Sequence, residues 1–160
     1  MNITLRDIDE KNFIAVVGLK VADGQEGFVA TNVFSIAQSK VCPHFNPQAI
    51  YCDDDPVGFA LYGRDPEKDS YWIVRLMIDA AHQGKGHGKA AIQELIARMS
   101  EQPDCTGVFL SFVPGNESAE ALYRKVGFRP TGDLDEGEII MKYDVKASEG
   151  SMATDVPRAV

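Results

Sequence analysis

The sequence predicts an α/β fold in a single domain, and three observations carry that expectation. Strand-like runs alternate with helix-like segments along most of the chain. One apolar run, YWIVRLMI from Tyr71 to Ile78, delivers the backbone into a glycine-rich turn that opens an amphipathic pattern. The length of 160 residues, 44% of them hydrophobic, is enough for one core and close to the usual size of one domain.

Ile3 to Ile8 alternates apolar and polar side chains, with Ile3, Leu5 and Ile8 as the buried set, so a first strand is expected, with Asp9 placed to cap the segment after it. Asn12 to Val21 has helical spacing through Phe13, Val16, Val17 and Lys20 before the Asp23-Gly24 break. A second helix is expected from about Asn32 to Lys40, with Val33, Ile36 and Ala37 on one side and Cys42-Pro43 as its stop. From Ala49 the period changes: AIYC is a short strand, DDDP a turn and VGFALYG a second strand, which together read as a hairpin. The charged stretch Arg64 to Ser70 is a loop and Tyr71 to Ile78 a central strand.

The helix beyond the glycines presents Ile92, Leu95, Ile96 and Met99 at core-facing spacing, with Pro103 after its end. The strand VFLSFV comes next, then a helix starting near Asn116 and stopped by Gly127. Arg129 to Leu134 and Glu138 to Tyr143 form a closing hairpin around Asp135-Glu136-Gly137. The expected total is about seven strands and about four helices. The domain is expected to span residues 1–145, and 146–160, rich in Ser, Ala, Gly and Pro without periodicity, to be a disordered tail.

Sixteen Lys and Arg against 24 Asp and Glu give a net charge of -8, which opposes attraction to nucleic acid and favours cationic small molecules. Three cysteines, Cys42, Cys52 and Cys105, without CxxC spacing suggest neither a disulfide framework nor a zinc knuckle, and no metal is expected. No apolar run approaches the roughly 18 residues needed to cross a bilayer, and the first residues lack an apolar signal core, so a cytoplasmic location without membrane attachment is expected.

The chemistry concentrates in IDAAHQGKGHGKAAIQELIARM, Ile78 to Met99, where Gly84, Gly86 and Gly88 alternate with Lys85, His87 and Lys89 just before a helix. Helix N-termini carry unpaired N–H groups and a partial positive charge, and glycines admit a phosphate close to those donors, so the stretch reads as a diphosphate cradle. A Walker loop would need Gly and Ser or Thr where Gln83 and Ala90 stand, and a dinucleotide fingerprint would need Gly where Lys89 stands. The remaining pattern, QxxGxG on Gln83, Gly86 and Gly88, resembles the acyl-coenzyme A loop of the Gcn5-related N-acetyltransferase (GNAT) family. About thirty residues on, Asn116, Ala121, Tyr123, Gly127 and Phe128 in NESAEALYRKVGF match the family's second motif, in order and at the expected separation. The resemblance covers roughly Met1 to Tyr143 and implies the GNAT fold, in which the strands form a mixed, mostly antiparallel sheet flanked by the helices. FVATNVFSIAQ, PVGFALYG, RLMIDAAHQGKGHGK and GDLDEGEIIMKY further resemble the bacterial spermine/spermidine (diamine) N-acetyltransferase subgroup.

The resemblance implies acetyl-CoA as co-substrate, with its pantetheine arm along Leu76, Met77 and Ile78. Its pyrophosphate would sit on the backbone from Gln83 through Gly84, Lys85, Gly86, His87 and Gly88 to Lys89. Asn116 would orient the pantetheine or a water, besides capping its helix, and Tyr123 would be the general acid. His82 and His87 read as loop residues, not catalysts. The base is not legible: Tyr71 to Ile78 has no carboxylate, Arg75 stands in its middle, and Asp79 lies at its exit. Glu26, Tyr51, Tyr62 and Trp72 are the candidate contacts to a cationic amine, since carboxylates and aromatic faces both hold cations. The implied activity is acetyl transfer to a primary amine, most naturally of spermine or spermidine. Aminoglycoside or protein amines are the alternative acceptors, a noncatalytic acetyl-CoA binding module is the alternative class, and a homodimer is among the expected assemblies.

Overall fold

In the computed structural model, which describes residues 1–146, the chain runs β1 (Ile3–Asp7), α1 (Phe13–Gly18), α2 (Asn32–Val41), β2 (Phe45–Cys52), β3 (Asp55–Asp65) and β4 (Ser70–Ile78). A single 3-10 turn, Ala80–His82, leads into α3 (His87–Ser100), β5 (Gly107–Phe112), α4 (Glu117–Val126), β6 (Arg129–Asp135) and β7 (Glu138–Asp144). All but the first residue of the expected disordered tail lie outside the described residues.

The strands form one sheet in the order β1-β2-β3-β4-β5-β7-β6. Every pairing is antiparallel except β4 with β5, which are parallel and pair only at Tyr71 with Val108 and Trp72 with Phe109. Both strands continue past that short ladder, β4 to Ile78 and β5 to Phe112, so their facing backbone edges are released from each other. On its other edge β4 pairs with β3 through a bulge: Leu61 faces Arg75 and Tyr62 faces Ile73, leaving Val74 as the extra residue.

Helices cover both faces. Ala91, Ile92, Leu95, Ile96 and Met99 of α3 join Tyr123 of α4 and the strand residues Ile50, Ala60, Ile73, Val108 and Leu110 in the larger core. Val16 of α1 packs with Phe45, Ala49, Tyr51, Phe59, Leu61 and Met77 on the opposite face. The inward row of α3 is the one its spacing predicts.

Two helices depart from expectation. α1 lasts only six residues and buries Val16 alone, with Phe13 left 41% exposed. On α2 only Ile36 of the expected apolar face packs against the core: Val33 and Ala37 are exposed, while Asn32 and Ser35 are buried. The reason lies in α1. Its early end leaves the Val16 carbonyl with only the Leu19 N–H, at 3.2 Å, from its own segment, and Asn32 Nδ2 supplies a second donor at 2.9 Å. Thr31 fixes the rotation by accepting the Phe34 N–H at 3.2 Å and taking the Ser35 hydroxyl on its carbonyl at 3.0 Å. The hairpin strands β2 and β3 are longer than expected, because Pro47 is accommodated in β2 and Arg64 and Asp65 still pair with Tyr71 and Ser70.

Candidate active site

The gap where β4 and β5 stop pairing is a cleft of about 750 Å³. Ile73 to Ile78 form one wall and Leu110 to Val113 the other. The glycine loop, α4, the loop between α1 and α2, and Glu138 close the remaining sides.

On the glycine-loop side, Leu76, Met77 and Ile78 line the cleft as expected. Gln83 ties the loop down: its Nε2 donates to the Ile78 carbonyl at 3.0 Å and to Gln25 Oε1 at 2.8 Å. Gly86 is the residue before α3, in the left-handed region at φ +85°, and no side chain caps the helix. The first-turn N–H groups of α3 are therefore free for an anion, and the loop fits a diphosphate. Gly88 lines the cleft with Gly86 and has a packing role besides. It lies inside α3, where a Cβ would stand 3.2 Å from Leu122 Cδ2, so its smallness brings α3 against α4.

Lys85 is exposed, with Nζ on the Ala81 carbonyl at 3.1 Å, and Lys89 lines the cleft. His87 is not an exposed loop residue: it is the first residue of α3, only 6% exposed, with a buried Nδ1 that has no hydrogen-bond partner. Burial first, then the nearby charges of His82 and Lys85, push its pKa below the usual histidine value.

Asn116 caps α4, its Oδ1 accepting from Ala119 N at 3.3 Å, and also faces the cleft. Tyr123 projects from α4 between Phe112 and Phe128 and reaches the cleft wall while being only 9% exposed. Burial, reinforced by the Glu138 charge, pushes its pKa up to about 12.

Of the four expected amine contacts, Glu26 alone lines the cleft. Tyr51 belongs to the smaller core, with Arg6 stacked on its ring at 4.0 Å. Tyr62 lies against a separate hollow with His44 and Arg98. Trp72 is taken up by Phe109, stacked at 5.3 Å, and by Lys68 over its ring at 4.1 Å. The faces of Tyr51 and Trp72 are spent on structure and Tyr62 turns to another hollow, which their sequence positions do not reveal.

The cleft also holds groups that the sequence does not announce. Gln25 anchors the α1–α2 loop to Gln83. Arg75 donates through Nη1 to the Val74 carbonyl at 2.8 Å and through Nη2 to Gln38 at 3.4 Å, leaving a buried Nε without a partner. Burial lowers its pKa and the Glu138 charge opposes that. Glu138 Oε2 accepts the Ser111 hydroxyl at 2.6 Å. The bulge at Val74, visible only in the strand register, re-aims the side chain beside it.

Residues 25–128 match the acetyltransferase (GNAT) family. The chain is 33% identical over 148 residues to spermine/spermidine N(1)-acetyltransferase of Bacillus subtilis, covering 88% of this chain and 97% of that protein. Among solved structures, an aminoglycoside acetyltransferase, AAC(6')-Ib, in complex with coenzyme A superposes with a TM-score of 0.75 at 18% identity, covering 89% of this chain and 95% of that one. The ribosomal L7/L12 alpha-N-protein acetyltransferase RimL, in complex with coenzyme A, superposes with a TM-score of 0.69 at 16% identity, covering 92% and 96%.

Proposed function

The chain belongs to the acetyltransferase (GNAT) family and is an acetyl-CoA dependent N-acetyltransferase, and from that premise we propose that its acceptor is a primary amine of a polyamine such as spermine or spermidine. The observation that carries this reading is the 33% identity to the Bacillus subtilis enzyme, which extends over nearly the whole of that protein. The charge balance supports it, since a chain of net charge -8 with Glu26 and Glu138 in its cleft attracts polycations.

Acetyl-CoA supplies an activated acetyl thioester. The free N–H groups from Gly86 onward would hold its diphosphate, and the released edge of β4 at Leu76, Met77 and Ile78 would take its pantetheine arm as an added strand. Asn116 would orient that arm from the opposite wall. Tyr123, protonated at neutral pH as any phenol is and held above the usual tyrosine pKa by burial, would give its proton to the departing sulfur. Arg75 has its own task on the acceptor side: a fixed cation disfavours an ammonium beside it, so the reacting nitrogen is favoured in its neutral form.

The protein is read as cytoplasmic, without nucleic-acid partners, and a homodimer is one expected assembly. Among the described residues no helix is long and apolar enough to cross a membrane. Thiol release from acetyl-CoA, measured against spermine, spermidine, an aminoglycoside and a lysine peptide, tests the acceptor. Turnover is expected with the first two. Turnover confined to the aminoglycoside or to the peptide would assign the enzyme to that acceptor instead.

A further inference from the structure

Acetyl transfer to an amine requires that an ammonium, with a pKa of about 10.4 when unperturbed, first lose a proton. β4 offers no carboxylate for this, and Asp79 at its exit is committed to the backbone: Oδ1 accepts the Lys20 N–H at 2.9 Å and Oδ2 the Ala81 N–H at 3.1 Å. Two carboxylates line the cleft, Glu26 and Glu138. Glu26 is exposed, and its Oε2 is held by the Gly24 N–H at 2.8 Å in a turn of its own loop.

Glu138 is better placed. It opens β7, one residue before the pairing of Ile139 with Phe112, and so stands beside the end of β5 where the cleft runs. Ser111 fixes Oε2, and Oε1 has no hydrogen-bond partner among the described residues. Arg75 lines the same cleft from β4, with its unpartnered Nε, and Tyr123 reaches it from α4. A carboxylate, a fixed cation and a phenol therefore surround the space in which the amine must meet the thioester.

We propose that Glu138 is the group that takes the proton from the acceptor's ammonium and that afterwards resupplies Tyr123. The inference rests on N-acetyl transfer and on Tyr123 as the acid, and not on the identity of the amine. The ammonium gives one proton to Glu138. The freed nitrogen lone pair forms a bond to the thioester carbonyl carbon, the carbon–sulfur bond breaks, and the sulfur leaves with the proton of Tyr123. The nitrogen's second proton passes to solvent, and the proton held by Glu138 returns to the Tyr123 phenolate. One proton is released per amide formed. The order of events also helps the acid. The Glu138 charge opposes ionisation of Tyr123, so neutralising that carboxylate makes the phenol a better donor just before it is used.

The test compares Glu138→Gln, which keeps the shape and an acceptor for Ser111, on two kinds of amine at pH 7. One kind is the ammonium acceptor that the unaltered enzyme turns over best, whether polyamine or lysine peptide. The other is a fluorinated aliphatic amine that is already neutral. With the ammonium acceptor kcat/KM is expected to fall about 100-fold or more, the usual contribution of a general base. With the neutral amine the loss should be under about 10-fold, and coenzyme A affinity should be unchanged. Equal losses on the two amines, or no loss on either, would overturn the proposal. Should Glu138→Gln lose coenzyme A binding through misfolding, Glu138→Asp decides: it is expected to retain at least about a tenth of the activity, and a loss of 100-fold on the ammonium acceptor despite intact coenzyme A binding would count against the role. If polyamines are not substrates but the peptide is, the acceptor reading fails while this comparison still runs on the peptide.

Discussion

The side-chain amides of Gln83 and Gln25 are paired, Gln83 Nε2 donating to Gln25 Oε1 at 2.8 Å, so the glycine loop and the α1–α2 loop are tied to each other at the mouth of the cleft. Removing the partner by Gln25→Ala leaves Gln83 held by the Ile78 carbonyl alone. A hydrogen bond of this kind contributes about 1 kcal/mol, which corresponds to a roughly fivefold rise in the coenzyme A dissociation constant if the loop must be ordered to bind. Calorimetric titration with coenzyme A checks this. An unchanged affinity would mean that the loop is ordered without the pair.

Which parts of this arrangement could be read from the residues depends on how local their causes are. The rotation of α3 was legible because its apolar spacing and its burial have one cause, the sheet beneath it, and Ile92, Leu95, Ile96 and Met99 all face inward. The rotation of α2 was not, because it answers a single carbonyl on another helix: Asn32 is buried to reach Val16, and Val33 is turned out as a result. The glycine loop was legible through the backbone conformation it requires at Gly86. The acceptor side was not, since Tyr51 and Trp72 look free in the sequence and are occupied in the fold by Arg6 and Phe109, while Tyr62 faces a separate hollow. Glu138 lies in a closing hairpin, and nothing in its neighbours along the chain connects it to Arg75; only the sheet order brings them to one cleft.

Gly86 and Gly88 are two residues apart and should respond to alanine in different ways. At Gly88 the new Cβ gains helix stability of about 0.5–1 kcal/mol and loses about 1–3 kcal/mol by crowding Leu122 Cδ2 at 3.2 Å. A net loss of about 1 kcal/mol is expected, and the loss should vanish in a Leu122→Ala background, where space is available. At Gly86 the cost is the left-handed backbone, about 1–2 kcal/mol, because the nearest atom to an added Cβ is Met1 Cε at 3.8 Å. That cost should be the same with or without Leu122. Urea denaturation of the three single variants, Gly86→Ala, Gly88→Ala and Leu122→Ala, and the two double variants checks the pair, and coupling of Gly86 to Leu122 would refute the distinction.

Asn32 and Val33 reverse the usual expectation for a polar and an apolar residue on a helix. Asn32→Ala removes a buried donor to the Val16 carbonyl at 2.9 Å, leaving the Leu19 N–H there, and should cost about 1 kcal/mol. Val33→Ser, on a side chain 56% exposed, should stay within about 0.5 kcal/mol of the unaltered protein. Denaturant midpoints decide between this and the rotation that periodicity alone suggests, under which the larger cost would fall on Val33.

Tyr123 ties stability and activity to alkaline pH in a way that separates them. Its pKa, and that of Tyr71, are both raised from about 10 to about 12: burial acts first in each, followed by the Glu138 charge at Tyr123 and the Asp104 hydrogen bond at Tyr71. A phenol whose pKa is higher folded than unfolded binds its proton more tightly in the native state. Its stabilising contribution is thus whole below about pH 10 and lost as pH climbs toward 12. Tyrosinate absorbance should therefore show the Tyr71 and Tyr123 phenols ionising only as pH nears 12, with unfolding in that window. Tyr123→Phe removes one of those two late titrations and blunts the alkaline loss of stability, leaving the share due to Tyr71. At pH 7, where the phenol is protonated in either state, the same substitution should leave coenzyme A affinity intact and lower kcat by about 100-fold, the scale of a lost general acid. If kcat is unchanged while the late titration disappears, Tyr123 is a core residue at the cleft wall and the sulfur takes its proton from elsewhere.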